Sequence, residues 1–200
     1  MKLIRLSLML AFILWIMAGC SISTDDNITI EARPDSTYSN TFNELSLGPL
    51  FDFHFTLPNA DQRWVRLWVE SYKDGVKEEE PLSELSYGLS HNESEQGHLG
   101  FGIINTNEGN TLFFLYGPET RSAPERVPAN AVTMDGMGSW RYANKEDPME
   151  LEIGETEILA VYRKAENAMR NFDFREKEQL EQLLEEDSAN LLLKIRVEER

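Results

Sequence analysis

The sequence predicts an all-β fold, an antiparallel β-sandwich with one short α-helix before its last strand. Eight or more short apolar runs follow one another at spacings of roughly 8–15 residues, separated by turn-forming residues. These runs do not alternate with helices as they do in βαβ units. One stretch near the C-terminus has a helical apolar period instead of the period of a strand.

A period-two alternation begins at the first of these runs. Residues 50–57 (LFDFHFTL) put phenylalanines on one side and polar residues on the other, which is typical of a half-buried strand. Residues 63–73 (RWVRLWVESYK) alternate in the same way. Asp74-Gly75 then favours a type I′ turn, since both central positions need positive φ. Residues 76–80 are therefore expected to form the short partner strand.

Further apolar runs predict the remaining strands. A tight turn over residues 106–110 is expected to join two of them, and a long Pro-containing loop covers residues 117–130. The predicted strands span residues 85–90, 99–105, 111–116, 131–134, 140–143, 151–153, 157–163 and 190–197.

One helix is expected just before the last strand. Asp173 and Glu176 match a capping box, in which two side chains satisfy backbone groups at a helix start. Leu180, Leu183 and Leu184 follow as a narrow apolar stripe. This acidic helix is expected to pack by its leucines against the edge or end of a sheet.

The layout resembles an immunoglobulin-like sandwich in architecture only. The chain holds one cysteine, so it lacks the disulfide between sheets that antibody domains have. A single sandwich domain is expected over residues 42–200, which is long enough to bury a hydrophobic core. Without a disulfide, burial of apolar surface must stabilise it.

Residues 1–19 have the features of an export signal. Two basic residues stand near the start, a mostly apolar stretch follows, and Ala18-Gly19 supply the small residues that a signal peptidase needs. The apolar run is about 14 residues long, whereas roughly 20 are needed to span a bilayer. The pattern therefore favours a cleaved signal peptide over a transmembrane helix.

Cys20 is the only cysteine and stands directly after this signal. The pattern resembles the lipobox of bacterial lipoproteins. The resemblance implies that Cys20 carries a thioether-linked diacylglycerol, which holds the protein at the extracytoplasmic face of the cell membrane. Residues 20–41 are expected to form the lipidated cysteine and a flexible tether, because they are rich in Ser, Thr, Asp and Asn. Alternatively, Ile28 and Ile30 add a short strand at a sheet edge.

The charge of the chain limits its partners. With 35 acidic and 19 basic residues, the formal net charge is −16, which repels nucleic acid. No nucleic-acid partner is expected. The expected partners are the membrane, through the lipid on Cys20, and a protein of the cell envelope. No motif for a cofactor is present, and none is expected.

Trp64, Trp68 and Tyr72 are the best candidates for binding. They share one face of the strand over 63–73, and an aromatic face on a sheet can stack on a sugar or dock a peptide. The alternative is that this strand is central and both of its faces are buried, since large aromatic residues are mostly buried.

The long irregular segment over residues 117–148 is the second candidate. Arg121, Arg126 and Trp140 lie in or beside it. Loops longer than about 12–15 residues in compact domains are often functional. This segment is therefore a candidate recognition loop.

Signals for catalysis are weak. The chain has no GxSxG elbow, HExxH, P-loop or CxxC motif. His91, Glu93, Glu95 and His98 offer metal-ligating groups, but their spacing matches no known pattern, so no metal site is expected. The sequence therefore predicts a non-catalytic binding or accessory domain of the envelope. The alternative is a cell-wall hydrolase that uses two of the many carboxylates.

Overall fold

The computed structural model describes residues 26–106, 110–128, 138–144, 147–164, 172–174 and 176–200. These residues form thirteen strands and two helices, α1 (Thr37–Glu44) and α2 (Lys177–Glu186). The strands are β1 (Ile28–Ala32), β2 (Leu50–Pro58), β3 (Arg63–Lys73), β4 (Val76–Lys77), β5 (Ser83–Gly88), β6 (Ser94–Asn105), β7 (Thr111–Gly117), β8 (Thr120–Arg121), β9 (Glu125–Arg126), β10 (Gly138–Tyr142), β11 (Met149–Leu151), β12 (Thr156–Lys164) and β13 (Ala189–Glu199).

The described strands form two antiparallel sheets, which confirms the predicted all-β sandwich. The first sheet has the order β11-β1-β2-β6-β7-β8, with β9 also paired to β7. The second has the order β10-β12-β13-β3-β4, with β5 also paired to β3. The core lies between the sheets and is built by the inward side of the alternating strands, including Phe55, Phe101, Leu67 and Leu193, which are all fully buried.

The strand boundaries follow the alternation closely. Residues 63–73 form β3 as predicted, and the Asp74-Gly75 turn has positive φ at both residues, 49° and 77°, as a type I′ turn requires. The partner strand β4 is shorter than predicted because the acidic run 78–80 is exposed to solvent and Pro81 follows it.

The N-terminal segment corrects the predicted tether. Residues 28–41 do not form a tether, because β1 lies inside the first sheet, paired with β2 on one side and β11 on the other. Ile28 and Ile30 are buried in the core, which holds the strand in place. The strand alternative was therefore right, although β1 is not at an edge, and the sandwich includes β1, which lies before residue 42.

Helix α2 lies before the last strand, as predicted. Leu183, Leu180 and Leu184 pack with Val161 and Leu192 on the outer face of the second sheet, instead of at its edge or end. The predicted capping box is wrong, because the helix begins at Lys177 and its N-cap Glu176 makes no side-chain cap bond.

Three predictions lie outside the described residues. They are the export signal over 1–19 with Cys20, the strand over 131–134, and the middle of the turn over 106–110. Within the described part of the chain, neither helix is long and apolar enough to cross a membrane.

Candidate functional site

The outer face of the first sheet carries a group of polar side chains around Asp52. The inward residues of β2 are core phenylalanines, so alternation places Asp52 on the opposite face. Asp52 is nevertheless fully buried there, because α1 and its neighbours cover this part of the sheet. A buried carboxylate is costly unless it is hydrogen-bonded.

Two side chains satisfy the carboxylate of Asp52. Nδ1 of His98, on β6, lies 2.9 Å from Oδ2 and 3.1 Å from Oδ1. The hydroxyl of Tyr116, on β7, donates to Oδ1 over 2.9 Å. Burial and the charge of Asp52 raise the pKa of the Tyr116 phenol, so that this group keeps its proton and donates.

The other sheet also holds Asp52. Its backbone N–H donates to the hydroxyl of Tyr142 over 3.1 Å, and Tyr142 belongs to β10 of the second sheet. The backbone carbonyl of Asp52 accepts from the N–H of Arg33, just after β1 ends. The residue is therefore fixed through both its side chain and its backbone.

Two glycines on β6 make room for this arrangement. A Cβ at Gly100 would lie 2.5 Å from the hydroxyl oxygen of Tyr116, and a Cβ at Gly102 would lie 2.0 Å from the ring of Phe114. Because glycine has no Cβ, the rings of Tyr116 and Phe114 can approach the backbone of β6 closely. The close approach at Gly100 allows the Tyr116 hydroxyl to reach Asp52.

Helix α1 forms the other side of the site. Its N-cap is Ser36, whose hydroxyl accepts from the N–H of Ser39 over 3.1 Å. It ends in a Schellman motif, in which the N–H of Leu47 bonds the carbonyl of Phe42 and Ser46 has φ 53°. The hydroxyl of the buried Ser39 donates to the carbonyl of Leu50, which attaches the helix to β2.

Tyr38 and Phe42 lie one turn apart on α1 and meet aromatic rings of the sheet. The ring of Tyr38 stacks on that of His98, with 4.2 Å between centroids and 28° between planes. Phe42 lies 5.7 Å from Phe114, which in turn lies 6.0 Å from Tyr116. We call the five rings the aromatic wall.

The aromatic wall lines an open groove of about 700 Å³ between α1 and the first sheet. The turn between β7 and β8 forms its far rim. Glu119 in this turn has φ 58°, a conformation that costs a residue with a side chain about 1–2 kcal/mol, and Arg121 follows on β8. Gln96 of β6 lies on the same groove.

The structure does not form a binding face from Trp64, Trp68 and Tyr72. All three lie on the outer face of the second sheet, but Trp68 is 5% exposed and donates through Nε1 to Glu70 over 2.9 Å. The hydroxyl of Tyr72 donates to Glu70 over 3.0 Å. Trp64 is half-buried, with the guanidinium of Arg200 stacked 4.4 Å from its ring centre.

Glu70 accounts for this packing. It also accepts from Lys194 over 2.7 Å and from Lys77 over 2.9 Å, so four donors surround one carboxylate. Burial alone would raise the pKa of Glu70, but the hydrogen bonds from Lys194, Lys77 and Trp68 outweigh it and lower the pKa from 4.5 to about 2.

The other predicted binding residues are separated in space. Arg121 lies on the groove and Arg126 is exposed on β9 of the same sheet. Trp140 contacts the core rings of Phe51 and Phe101 between the sheets, with centroids 5.3 and 5.4 Å apart. The prediction that Trp140 belongs to a recognition loop is therefore wrong.

Acidic residues gather at a second groove of about 590 Å³ beside the β3–β4 turn. Asp74 and the run Glu78-Glu79-Glu80 line it, together with Lys73 and Lys164. Among the described residues, no three His, Cys, Asp or Glu side chains are grouped closely enough to hold a metal ion. His98 instead lies against Asp52, which was not among the residues that the sequence suggested as metal ligands.

Asp52, Tyr116 and Tyr38 were not predicted as site residues from the sequence. The period-two alternation did place Asp52 on a polar face. Tyr38, Phe42 and Leu45 are spaced as on one side of a helix, and Ser36 is a good N-cap, so a signal for α1 was present.

No family model, curated protein or solved structure matches this chain.

Proposed function

We propose that this protein is a lipid-anchored, extracytoplasmic domain of the bacterial cell envelope that binds an envelope component, and that it is not an enzyme. The groove beside α1 is its binding site. One observation supports the choice of this groove as the binding site. Five aromatic rings line an open groove of about 700 Å³, and polar groups stand at its rim.

The composition of the groove supports binding. Small-ligand sites have volumes of about 300–1,000 Å³ and combine many aromatic and apolar groups with a few well-placed polar groups. Tyr38 is 49% exposed although its ring is stacked on His98, so it is held on one side and open on the other. Exposed aromatic residues held in this way are typical of recognition surfaces.

The proposed anchor rests on the sequence of residues 1–20. A positively charged start, an apolar stretch too short to span a bilayer, and the pair Ala18-Gly19 precede Cys20. Two acyl chains on Cys20 would hold the domain firmly at a membrane, since each buried methylene contributes about 0.8 kcal/mol.

Retention by isolated envelopes tests the binding site. The full chain carrying Cys20→Ser, which lacks the proposed lipid and so is not retained through the anchor, is mixed with envelope fragments, and the bound fraction is measured for this form alone and with Tyr38→Ala, His98→Ala or His54→Ala added. His54 lies opposite His98 in the β2–β6 pairing but outside the groove, so it is the matched control. We expect Tyr38→Ala and His98→Ala to lower retention at least tenfold and the control to be retained like the form with Cys20→Ser alone. Equal retention of all four would exclude the groove as the binding site.

A second experiment tests the anchor. Cys20→Ser is expected to move the protein from the membrane fraction to the soluble fraction and to remove the added mass of the lipid. A wild-type protein with an intact Met1 and an unmodified thiol would contradict the anchor.

One observation favours hydrolysis as a second candidate function. A histidine held by a carboxylate is the arrangement of a general base, and Asp52 holds His98 in this way. A hydrolase that uses two carboxylates, the alternative raised from the sequence, is not favoured in this groove. Glu119 is the only carboxylate among the described residues that line it. Release of soluble fragments from purified cell wall, lost in His98→Ala, would support this candidate.

A further inference from the structure

We propose that the groove binds a neutral saccharide chain. This inference rests on the proposed function, because it names the ligand of the same groove. Three properties of the protein support it, which are the exposed ring of Tyr38, the mixture of polar groups around that ring, and the net charge of the chain.

The ring of Tyr38 offers a stacking surface. One of its faces is covered by the ring of His98 at 4.2 Å, and the residue as a whole is 49% exposed. A pyranose ring has an apolar face of C–H groups, which packs against an aromatic face with little loss of hydration of its hydroxyls. Tyr116 lies 6.3 Å from Tyr38, so the stacking surface continues toward the sheet.

The polar groups on the groove provide both donors and acceptors. Gln96 carries an amide that donates and accepts, Glu119 only accepts, and Arg121 only donates. A sugar hydroxyl both donates and accepts, so it can pair with each of the three. A ligand with one sign of charge would be attracted by only one of the residues Glu119 and Arg121 and repelled by the other.

His98 is held so that it presents one nitrogen to a ligand. Nδ1 faces the carboxylate of Asp52, which places the ring proton there and leaves Nε2 as the acceptor of the neutral ring. His98 lines the groove, and its side chain is 42% exposed. Asp52 and Tyr116 therefore act as positioning residues for His98.

Net charge favours a neutral ligand over an acidic one. The formal charge of the chain is −16, which repels acidic polymers at long range. The groove is open, with the β7–β8 turn as one rim and α1 as the other. A chain of several rings can therefore enter it without a rearrangement of either side.

Titration with defined oligosaccharides tests this proposal. The full chain in detergent is titrated with a β-1,4-linked tetramer of N-acetylglucosamine and with an α-1,4-linked tetramer of glucose, followed by Tyr and Trp fluorescence and calorimetry. We expect saturable binding of at least one tetramer. Tyr38→Ala and His98→Ala should weaken this binding at least tenfold.

Matched controls separate the groove from the rest of the surface. Trp64→Ala removes an aromatic residue of the other sheet, and His54→Ala removes a histidine outside the groove. Both are expected to bind like wild type. Asp52→Asn, which keeps the size of the side chain, should weaken binding of the saccharide and change the pH profile of binding, whereas a purely structural residue would leave that profile unchanged.

The outcomes distinguish this proposal from the proposed function. If neither tetramer binds while Tyr38→Ala still lowers retention by envelopes, the proposed saccharide ligand is wrong and the groove remains the binding site. Binding of an extended peptide of alanine and glycine in the groove, in competition with the tetramers, would also contradict the proposed saccharide ligand. If neither assay depends on Tyr38 or His98, both proposals are wrong.

Discussion

Nδ1 of His98 lies 2.9 Å from Oδ2 of Asp52, and the two residues differ sharply in exposure. The side chain of Asp52 is fully buried, whereas that of His98 is 42% exposed. The pair therefore links the interior under α1 to the open groove. A change at the buried end should affect both the stability of the domain and the geometry of the groove.

Replacing Asp52 by Ala is expected to lower the free energy of unfolding by about 2–3 kcal/mol. The change removes the carboxylate that accepts from Nδ1 of His98 and from the hydroxyl of Tyr116, which keeps only a longer bond of 3.3 Å to the carbonyl of Phe51, and hydrogen bonds to charged groups are worth about 1.5–3 kcal/mol. Urea denaturation measures this change in the free energy of unfolding. His54→Ala on the same face should stay within about 0.5 kcal/mol of wild type. An unchanged midpoint for Asp52→Ala would mean that these bonds contribute nothing.

Replacing Gly102 by Ala is expected to destabilise the domain by about 1–3 kcal/mol, because the new Cβ would lie 2.0 Å from the ring of Phe114 and push it off β6. Gly97→Ala is the matched control on the same strand. Its Cβ would meet Pro118 at 3.7 Å, an ordinary contact, and the stability should change by no more than about 0.5 kcal/mol. Thermal unfolding of the two variants compares them. Equal losses would contradict the tight approach at Gly102.

Glu70 is expected to make the domain sensitive to acid. Its pKa is lowered from 4.5 to about 2 in the folded state, so its contribution is complete above about pH 4.5 and disappears as the pH falls toward 2. The contribution of Glu70 to the free energy of unfolding should be about 2 kcal/mol. This is less than its full pKa shift implies, because its partner Lys77 is half exposed and screened by solvent.

Glu70→Gln provides the comparison for this prediction. The difference in urea midpoint between wild type and Glu70→Gln should be largest at pH 6 and should shrink between pH 4.5 and pH 2. A difference that stays constant over this range would show that Glu70 has no lowered pKa.

Asp187→Ala is expected to cost about 3–5 kcal/mol. The carboxylate of Asp187 bonds Nε and Nη2 of Arg163 at 2.7 and 3.0 Å, and both side chains are almost fully buried, so the change would leave a buried guanidinium without this partner. Lys177→Ala removes one member of the exposed pair Lys177–Glu181 and should cost less than about 1 kcal/mol. A small loss for Asp187→Ala would show that water reaches Arg163.

The strands were predictable because burial on one face repeats every second residue. In β3, Val65, Leu67 and Val69 are buried toward the other sheet, and the predicted bounds 63–73 are those observed. Helix α1 was missed because the composition around it is polar. Its two aromatic residues, Tyr38 and Phe42, contact aromatic rings of the sheet, and composition does not report such contacts.

The candidate site was not predictable from local pattern. Asp52 and His98 are 46 residues apart, and they meet because β2 and β6 pair with His54 opposite His98. A shift of this register by one residue would place His98 on the core side of the sheet. Trp140 was misplaced for a similar reason, since its pairing opposite Tyr162 on β12 turns its ring inward.

The position of β1 has a mechanical consequence. Seven residues, 21–27, separate Cys20 from Ile28, and a fully extended chain of that length reaches at most about 25 Å. Tension on an anchored Cys20 would thus enter the body through an inner strand, along the axis of its ladders with β2 and β11. Shear of this kind loads all of the backbone hydrogen bonds of β1 at once instead of breaking them one by one, so the position of β1 is suited to resist such tension.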